Sequence, residues 1–418
     1  MENEKEIKDI DKKVNDDDLK LIKKNSSELI INKNNKNFDS FEIILKEKEI
    51  NDDCGFTDLS FKNFYENDPL FNHVISHIND YLINNSDSSN KTTIEILTEF
   101  INYDKFSEEI INKILLNGIP ESLPCLRPLI WKSLIGFFPL KELDKWKDIE
   151  TQKKLAYQNI IEKYKNYLDN ITDDKNKKII EQINRDLPRT RFDVPFFEDK
   201  NKNNEKEKNY DVLRRILFFY SKEHEELGYV QGMTEIIANI FYIFSKDDNP
   251  FTKEYAEIDS YFIYEKLMEE IKQIFQLDKE NFSETFINLQ IKQIKKILKK
   301  IEPDLLNYFE YIGLEIKNFV IRWILVLFAQ EFTIDVTVNF WDRVFTQKDK
   351  LKFICYISVA IIKSNKDLIM SLDLEGVMKW ALQLQNKMNE IDITNIVKLA
   401  LDIQKKYNKK EANNITVK

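Results

Sequence analysis

A chain of 418 residues with 42% hydrophobic content, including 29 Phe and 17 Tyr, has material for one large core or two ordinary ones. Its formal net charge of −9 argues against a general nucleic-acid binder, because nothing over the surface as a whole offsets phosphate repulsion. With only 7 Gly and 9 Pro, and no proline beyond Pro303, the composition disfavours a turn-rich β architecture and the expected fold class is all-α.

The first residues, MENEKEIKDIDKK, are charged and lack an apolar centre, so they do not read as a secretory signal. Residues 1–55 alternate Asp, Glu, Lys and Asn and are expected to form a disordered charged extension. A helical N-terminal segment is expected over 56–106, packing on or tethered to the main domain. Leu70, Val74, Ile78 and Tyr81 lie on one side of its first helix, and Ile94, Leu97 and Ile101 follow in a second after a polar linker at 84–90.

The main domain is expected over 107–408. Ser107 followed by Glu108 and Glu109 starts a helix that Gly118-Ile-Pro120 ends, and Arg127 to Trp131 opens the next. Polar helices fill 144–182, and the charge run at 198–209 reads as a solvated loop. Helical spacing then covers 211–223, 233–245, 258–276, 284–301, 304–315, 319–331, 335–345, 351–363, 374–388 and 392–407, leaving 409–418 as a polar tail. The apolar runs Phe319–Phe328 and Phe353–Ile362 are about half a membrane span and read as buried helices. The three cysteines, Cys54, Cys125 and Cys355, are odd in number and widely spaced, which suits reduced thiols in the cytoplasm.

Enzymatic signatures are absent from the sequence. His73 and His77 are spaced i, i+4, but Val-Ile-Ser between them lacks the glutamate of a zinc hydrolase, and the pair reads as a helical surface feature. There is no Cys-x-x-Cys, GxGxxG or GxxxxGK[ST] run, so neither a metal nor a cofactor of its own is expected.

Two short stretches stand out. In Ile183-Asn-Arg-Asp-Leu-Pro-Arg-Thr190, Pro188 disfavours helix at Leu187, which ends the preceding helix and leaves Arg189 at its terminus. Asp186 is spaced to accept from that guanidinium and hold it in one pose, although an ordinary Arg–Asp pair has the same signature. In Leu227-Gly-Tyr-Val-Gln-Gly-Met233, two of the seven glycines bracket Tyr229 to Gln231 and put an amide at the lip of the next helix.

Together these stretches resemble the TBC-domain Rab GTPase-activating proteins, and within that family most resemble the thirteenth-member branch. Ile183, Asp186 and Arg189 match IxxDxxR, with the customary Thr at Thr190; Tyr229 and Gln231 match YxQ within YVQGM, which includes Gly232. Arg127 and Trp131 match the N-terminal RxxxW signature, and the resemblance spans roughly 118–348. Thr234 stands where the extended motif often has Asn, and Pro128 where Gly is common.

The resemblance implies a large all-α domain that binds a GTP-loaded Rab. Arg189 would enter as an arginine finger and Gln231 as a glutamine finger, supported by Asp186, Ile183, Tyr229 and Gly232. Arg127 and Trp131 would be structural. Arg185 and Arg191 flank the motif, but the spacing selects Arg189. GTP and Mg²⁺ would belong to the partner, the setting cytoplasmic, and membrane association transient and peripheral, through the GTPase. The alternative on the same fold is a catalytically silent adaptor that binds a Rab or another trafficking protein.

Overall fold

The computed structural model describes residues 69–85, 91–102, 107–140, 142, 145–169, 173–197, 209–246, 250–276, 285–384 and 390–416. All of them lie in one compact unit, Leu59–Lys418. The extension expected over 1–55 lies outside the described residues, as does most of the charge run at 198–209. The described residues form eighteen α-helices and no β-strand.

The helices follow one another as α1 (Pro69–Asn84), α2 (Lys91–Asn102), α3 (Glu108–Asn117), α4 (Leu126–Leu134), α5 (Trp146–Asp169), α6 (Asp174–Asp186), α7 (Asn209–Glu223), α8 (Met233–Lys246) and α9 (Pro250–Glu254). The second half continues with α10 (Ala256–Ile271), α11 (Phe286–Ile301), α12 (Pro303–Tyr311), α13 (Lys317–Leu325), α14 (Ile334–Phe345), α15 (Lys350–Ser364), α16 (Lys366–Met370), α17 (Leu374–Leu382) and α18 (Glu390–Thr416). None is long and apolar enough to cross a membrane.

Local chemistry sets several boundaries. The Ser107 hydroxyl accepts from the Ile110 N–H, two glutamates follow in the first turn, and α3 stops at Gly118, which turns to φ +104°. A side chain is also excluded at Gly118, since a Cβ there would lie 2.7 Å from Arg343 Nη2.

Two helices are buried all round and organise the rest. Every residue of α8 from Met233 to Phe244 is buried, and α4, α7, α10 and α14 pack around it. Each fully buried Ile or Phe on it contributes about 1.5–3 kcal/mol. Its fully buried amide is satisfied: Asn239 donates to the Glu235 carbonyl at 2.6 Å and accepts from Arg191 at 2.7 Å. The second buried helix, α15, accounts for the Phe353–Ile362 run and is flanked by α11 and α18. From Phe353 to Ile362 α15 is buried on every side and nearly all apolar, with Ser358 returning its hydroxyl to the Ile354 carbonyl at 2.8 Å.

Several boundaries differ from the sequence reading. The helix expected over 319–331 ends at Leu325; Leu327 and Phe328 then take left-handed conformations, φ 48° and 62°. Nothing in the local sequence demands this. The reversal buries both side chains completely, and the Leu327 carbonyl accepts from Trp341 Nε1 at 2.9 Å. These gains offset roughly 1–3 kcal/mol of strain per residue. The helix expected over 374–388 stops at Leu382. The last helix continues to Thr416, through the stretch read as a tail. Finally, Leu187 keeps helical angles (φ −53°, ψ −47°) despite preceding Pro188, so the chain tightens into a 3₁₀ turn over Leu187–Arg189 instead of breaking.

Candidate functional site

The 3₁₀ turn after α6 sets the first candidate side chain. Ile183 is fully buried and Leu187 nearly so, and together they anchor the end of α6 in the core while Arg189 faces solvent. The next two residues fix the turn from below. Thr190 is buried and donates through Oγ1 to the Asp186 carbonyl at 3.1 Å. Arg191, with φ 48°, points inward and donates to the Phe332 carbonyl at 2.8 Å, Asn239 Oδ1 at 2.7 Å and Thr337 Oγ1 at 2.9 Å. Of the three arginines in this stretch, Arg191 is consumed by the core, whereas Arg185 and Arg189 are exposed.

The loop after α7 sets the second. Gly228 and Gly232 take positive φ, 64° and 102°, and the residues between them turn in alternate directions: Tyr229 inward, Gln231 outward. Val230 N–H meets Met233 Sδ at 3.3 Å, which closes the loop onto the first residue of α8. A Cβ at Gly232 would come within 3.2 Å of Val326 Cγ1, so the loop approaches the α13 side more closely than another residue allows.

One hydrogen bond joins the two loops. The Tyr229 phenol donates to Asp186 Oδ2 at 2.6 Å, the length of a charge-assisted O–H···O⁻ bond. Burial, and then this carboxylate, push the phenol's pKa far above its ordinary value, so it remains a donor; the Thr234 side chain also engages it. The sequence reading had Asp186 holding the Arg189 guanidinium. Among the described residues Asp186 holds Tyr229 instead, and neither Arg189 nor Gln231 makes a hydrogen bond or ion pair within the chain.

Arg189 and Gln231 line the same groove, of about 600 Å³. Asp186, Thr190, Val230, Gly232, Thr234 and Glu235 form its floor, and its far wall is α13 with the following turn: Lys317, Asn318, Ile321, Arg322, Leu325, Val326 and Gln330. The wall is itself braced. Arg322 pairs with Glu331, a carboxylate 1% exposed, through Nε–Oε1 and Nη2–Oε2 contacts of 2.5 and 2.6 Å. Gln330 Nε2 donates to Glu235 Oε1 at 3.1 Å, and burial raises the Glu235 carboxyl's pKa. The N-terminus of α8 opens into the groove, adding the positive end of a fourteen-residue helix to the Arg189 charge. A permanently charged guanidinium, an amide that both donates and accepts, and a positive helix end suit an anionic group with an ordered water beside it.

Arg127 and Trp131 lie elsewhere, where α4 meets α14. Arg127 donates through Nε to Asp342 Oδ1 and Oδ2 at 3.0 and 3.1 Å, and through Nη2 to Asp342 Oδ2 and Asn339 Oδ1, both at 2.9 Å. Trp131 Nε1 reaches Asp342 Oδ1 at 2.9 Å, and its ring meets Phe345 edge-on at 5.0 Å. Asp342 is fully buried and doubly satisfied, so the pair joins the two helices.

Sequence reasoning did not find the α13 wall, the role of Arg191, or a convergence of His73, His77 and Cys125 away from the groove. The wall lies far along the chain from both motifs, beyond the reach of any local spacing.

Comparison with known proteins bears on this arrangement. The sequence profile of the Rab-GTPase-TBC domain matches residues 124–370, more than half of the chain. Human TBC1 domain family member 13 is 30% identical over 156 residues, 37% of this chain and 39% of the relative. Human TBC1 domain family member 22B is 24% identical over 315 residues, covering 71% and 57%. The Saccharomyces cerevisiae GTPase-activating protein GYP1 is 26% identical over 258 residues, covering 56% and 37%. The chain thus spans between 37% and 57% of the length of these relatives. Among solved structures, the Ypt/Rab-GAP domain of Gyp1p aligns with a TM-score of 0.63 at 22% identity, over 75% of this chain and 99% of that one. At that identity the likeness establishes the fold.

Proposed function

The chain belongs to the Rab-GTPase-TBC domain family, and on that premise we propose that it is a GTPase-activating protein for a Rab-family GTPase, supplying Arg189 and Gln231 in trans. The observation that carries this reading is the shared groove: both side chains line it, uncommitted among the described residues, on loops that the Tyr229–Asp186 bond ties together.

Hydrolysis of GTP on the partner spreads charge over the γ-phosphoryl oxygens and needs a water held in line for attack. The Arg189 guanidinium neutralises that developing charge. Gln231 accepts a hydrogen bond from the attacking water through its amide oxygen and donates one from its amide nitrogen to the γ-phosphoryl, which fixes the water's line of approach. GTP and Mg²⁺ stay with the GTPase, so this chain's part is positioning and electrostatics. The partner's docking removes water from around both side chains, and preorganised donors gain strength there. An arginine finger is worth about 10³–10⁵ in rate, or roughly 4–7 kcal/mol. Recruitment to membranes would then be transient and through the GTP-bound Rab, with the chain otherwise in the cytoplasm.

The test is single-turnover GTP hydrolysis by a panel of purified Rab proteins, with wild type, Arg189→Ala and Gln231→Ala in parallel. Acceleration of one or a few Rabs, lost by about 10³-fold or more with Arg189→Ala, is the expected result. Both side chains are exposed and unpaired among the described residues, so both variants should keep wild-type stability within about 0.5 kcal/mol. GTP-dependent binding with no acceleration of any Rab would overturn the catalytic reading and leave an adaptor.

A further inference from the structure

Away from the groove, three metal-ligating side chains converge. His73 and His77 stand one turn apart on α1 with ring centroids 4.1 Å apart, and Cys125 immediately precedes α4 with its side chain buried. One donor atom from each lies within 4.8 Å of the other two. His77 Nδ1 is 2.8 Å from the His73 carbonyl oxygen. A carbonyl only accepts, so Nδ1 carries the proton and Nε2 of the neutral ring keeps its lone pair. An imidazole oriented by a backbone carbonyl through its other nitrogen is the usual state of a metal-bound histidine.

We propose that His73, His77 and Cys125 bind one zinc ion that ties α1 to the start of α4. Two imidazoles and a thiolate suit zinc and exclude magnesium and calcium, which require oxygen ligands. In a tetrahedral site, bonds of about 2.0–2.3 Å place the donor atoms roughly 3.5 Å apart. The observed convergence needs the side chains to draw in by about an ångström, within reach of small χ rotations. Binding converts the Cys125 thiol to a zinc thiolate and releases its proton to solvent. The fourth position is left to water. With Val-Ile-Ser between the histidines and no glutamate in register, the ion serves as a tie between helices and not as a hydrolytic centre.

Neither half of the site is a signal alone. The histidine pair is a common helical spacing, and Cys125 is a single buried thiol; the fold brings them together. The tie would fasten α1 to the domain whose groove begins past α4, independently of any GTPase.

The experiment is titration of the full chain, stripped with chelator and kept reduced, with Co²⁺ as a spectroscopic stand-in for zinc. Saturation at one equivalent, with tetrahedral d–d absorption and a thiolate-to-cobalt charge-transfer band that zinc reverses, is the expected result. Cys125→Ser should lose the charge-transfer band, and His77→Asn should weaken Co²⁺ binding by at least about tenfold, the loss that even an outer-shell partner brings. Cys355→Ser should change neither. Zinc should raise the melting temperature of wild type and not of Cys125→Ser. Should Cys125→Ser not fold by far-ultraviolet circular dichroism, His77→Asn carries the test. A folded wild type without the charge-transfer band, a band that survives in Cys125→Ser or vanishes in Cys355→Ser, or wild-type affinity in His77→Asn overturns the proposal.

Discussion

The bond between Tyr229 and Asp186 connects the two loops of the groove, and its removal from either side has calculable consequences. The phenol is 8% exposed and Asp186 half-buried, and the oxygens are 2.6 Å apart. A hydrogen bond to a charged group contributes about 1.5–3 kcal/mol, and partial exposure of the carboxylate places this one near the lower end, at about 1.5 kcal/mol. Tyr229→Phe removes the hydroxyl and leaves the ring's packing, so it should cost about that much. Asp186→Ala should cost at least as much, because the phenol is left buried with only Thr234 to meet it.

Once Asp186 is gone, the hydroxyl has little left to lose, so the double variant should cost no more than the worse single. That corresponds to a coupling of roughly 1–2 kcal/mol by a double-mutant cycle in urea. The same three variants in single-turnover GTP hydrolysis should all fall below wild type, with the double no slower than the slower single. Single-variant costs that simply add, in stability or in rate, would refute the idea that this bond holds the loops as a unit.

Gly232→Ala should destabilise the chain by about 1–3 kcal/mol, because the residue takes φ +102° and the new Cβ would crowd Val326. It should also slow stimulated hydrolysis at least about tenfold by displacing Gln231, as a misplacement of about an ångström can cost up to a hundredfold; wild-type values in both assays would argue against a strained loop. His224 donates through Nε2 to Glu265 Oε1 at 3.2 Å, and chiefly that bond raises the histidine's pKa above its ordinary 6.5. A raised folded value means stabilisation that is fully present below about 6.5 and fades as the pH climbs through the folded pKa. Urea midpoints should therefore drop between pH 6 and 8 by more in wild type than in His224→Gln, and equal slopes would discount the interaction.

Much of the architecture was legible from the chain. Scarce glycine and proline, with apolar spacing of helical period, gave an all-α fold; Ser107 and Gly118 marked both ends of one helix because capping and positive φ are local demands. The two motifs were equally legible, since Pro188 tightens the backbone ahead of Arg189 and the glycines around Tyr229–Gln231 permit its alternating turn. Long-range partnership was not. Asp186 belongs to Tyr229 and not to the nearby arginine, Arg191 is spent on Phe332, Asn239 and Thr337, and the reversal at Leu327 and Phe328 interrupts a run that reads as continuous helix.

The α13 wall of the groove and the meeting of Cys125 with the α1 histidines are likewise products of packing. The sequence by itself determined the helical class, most of the helical segments and which two side chains are presented at constrained turns, because those depend on neighbours a few residues away. Only the tertiary structure decided what each of those side chains faces, because contacts between distant helices are selected by burial of the whole core, a quantity that no local window of residues contains.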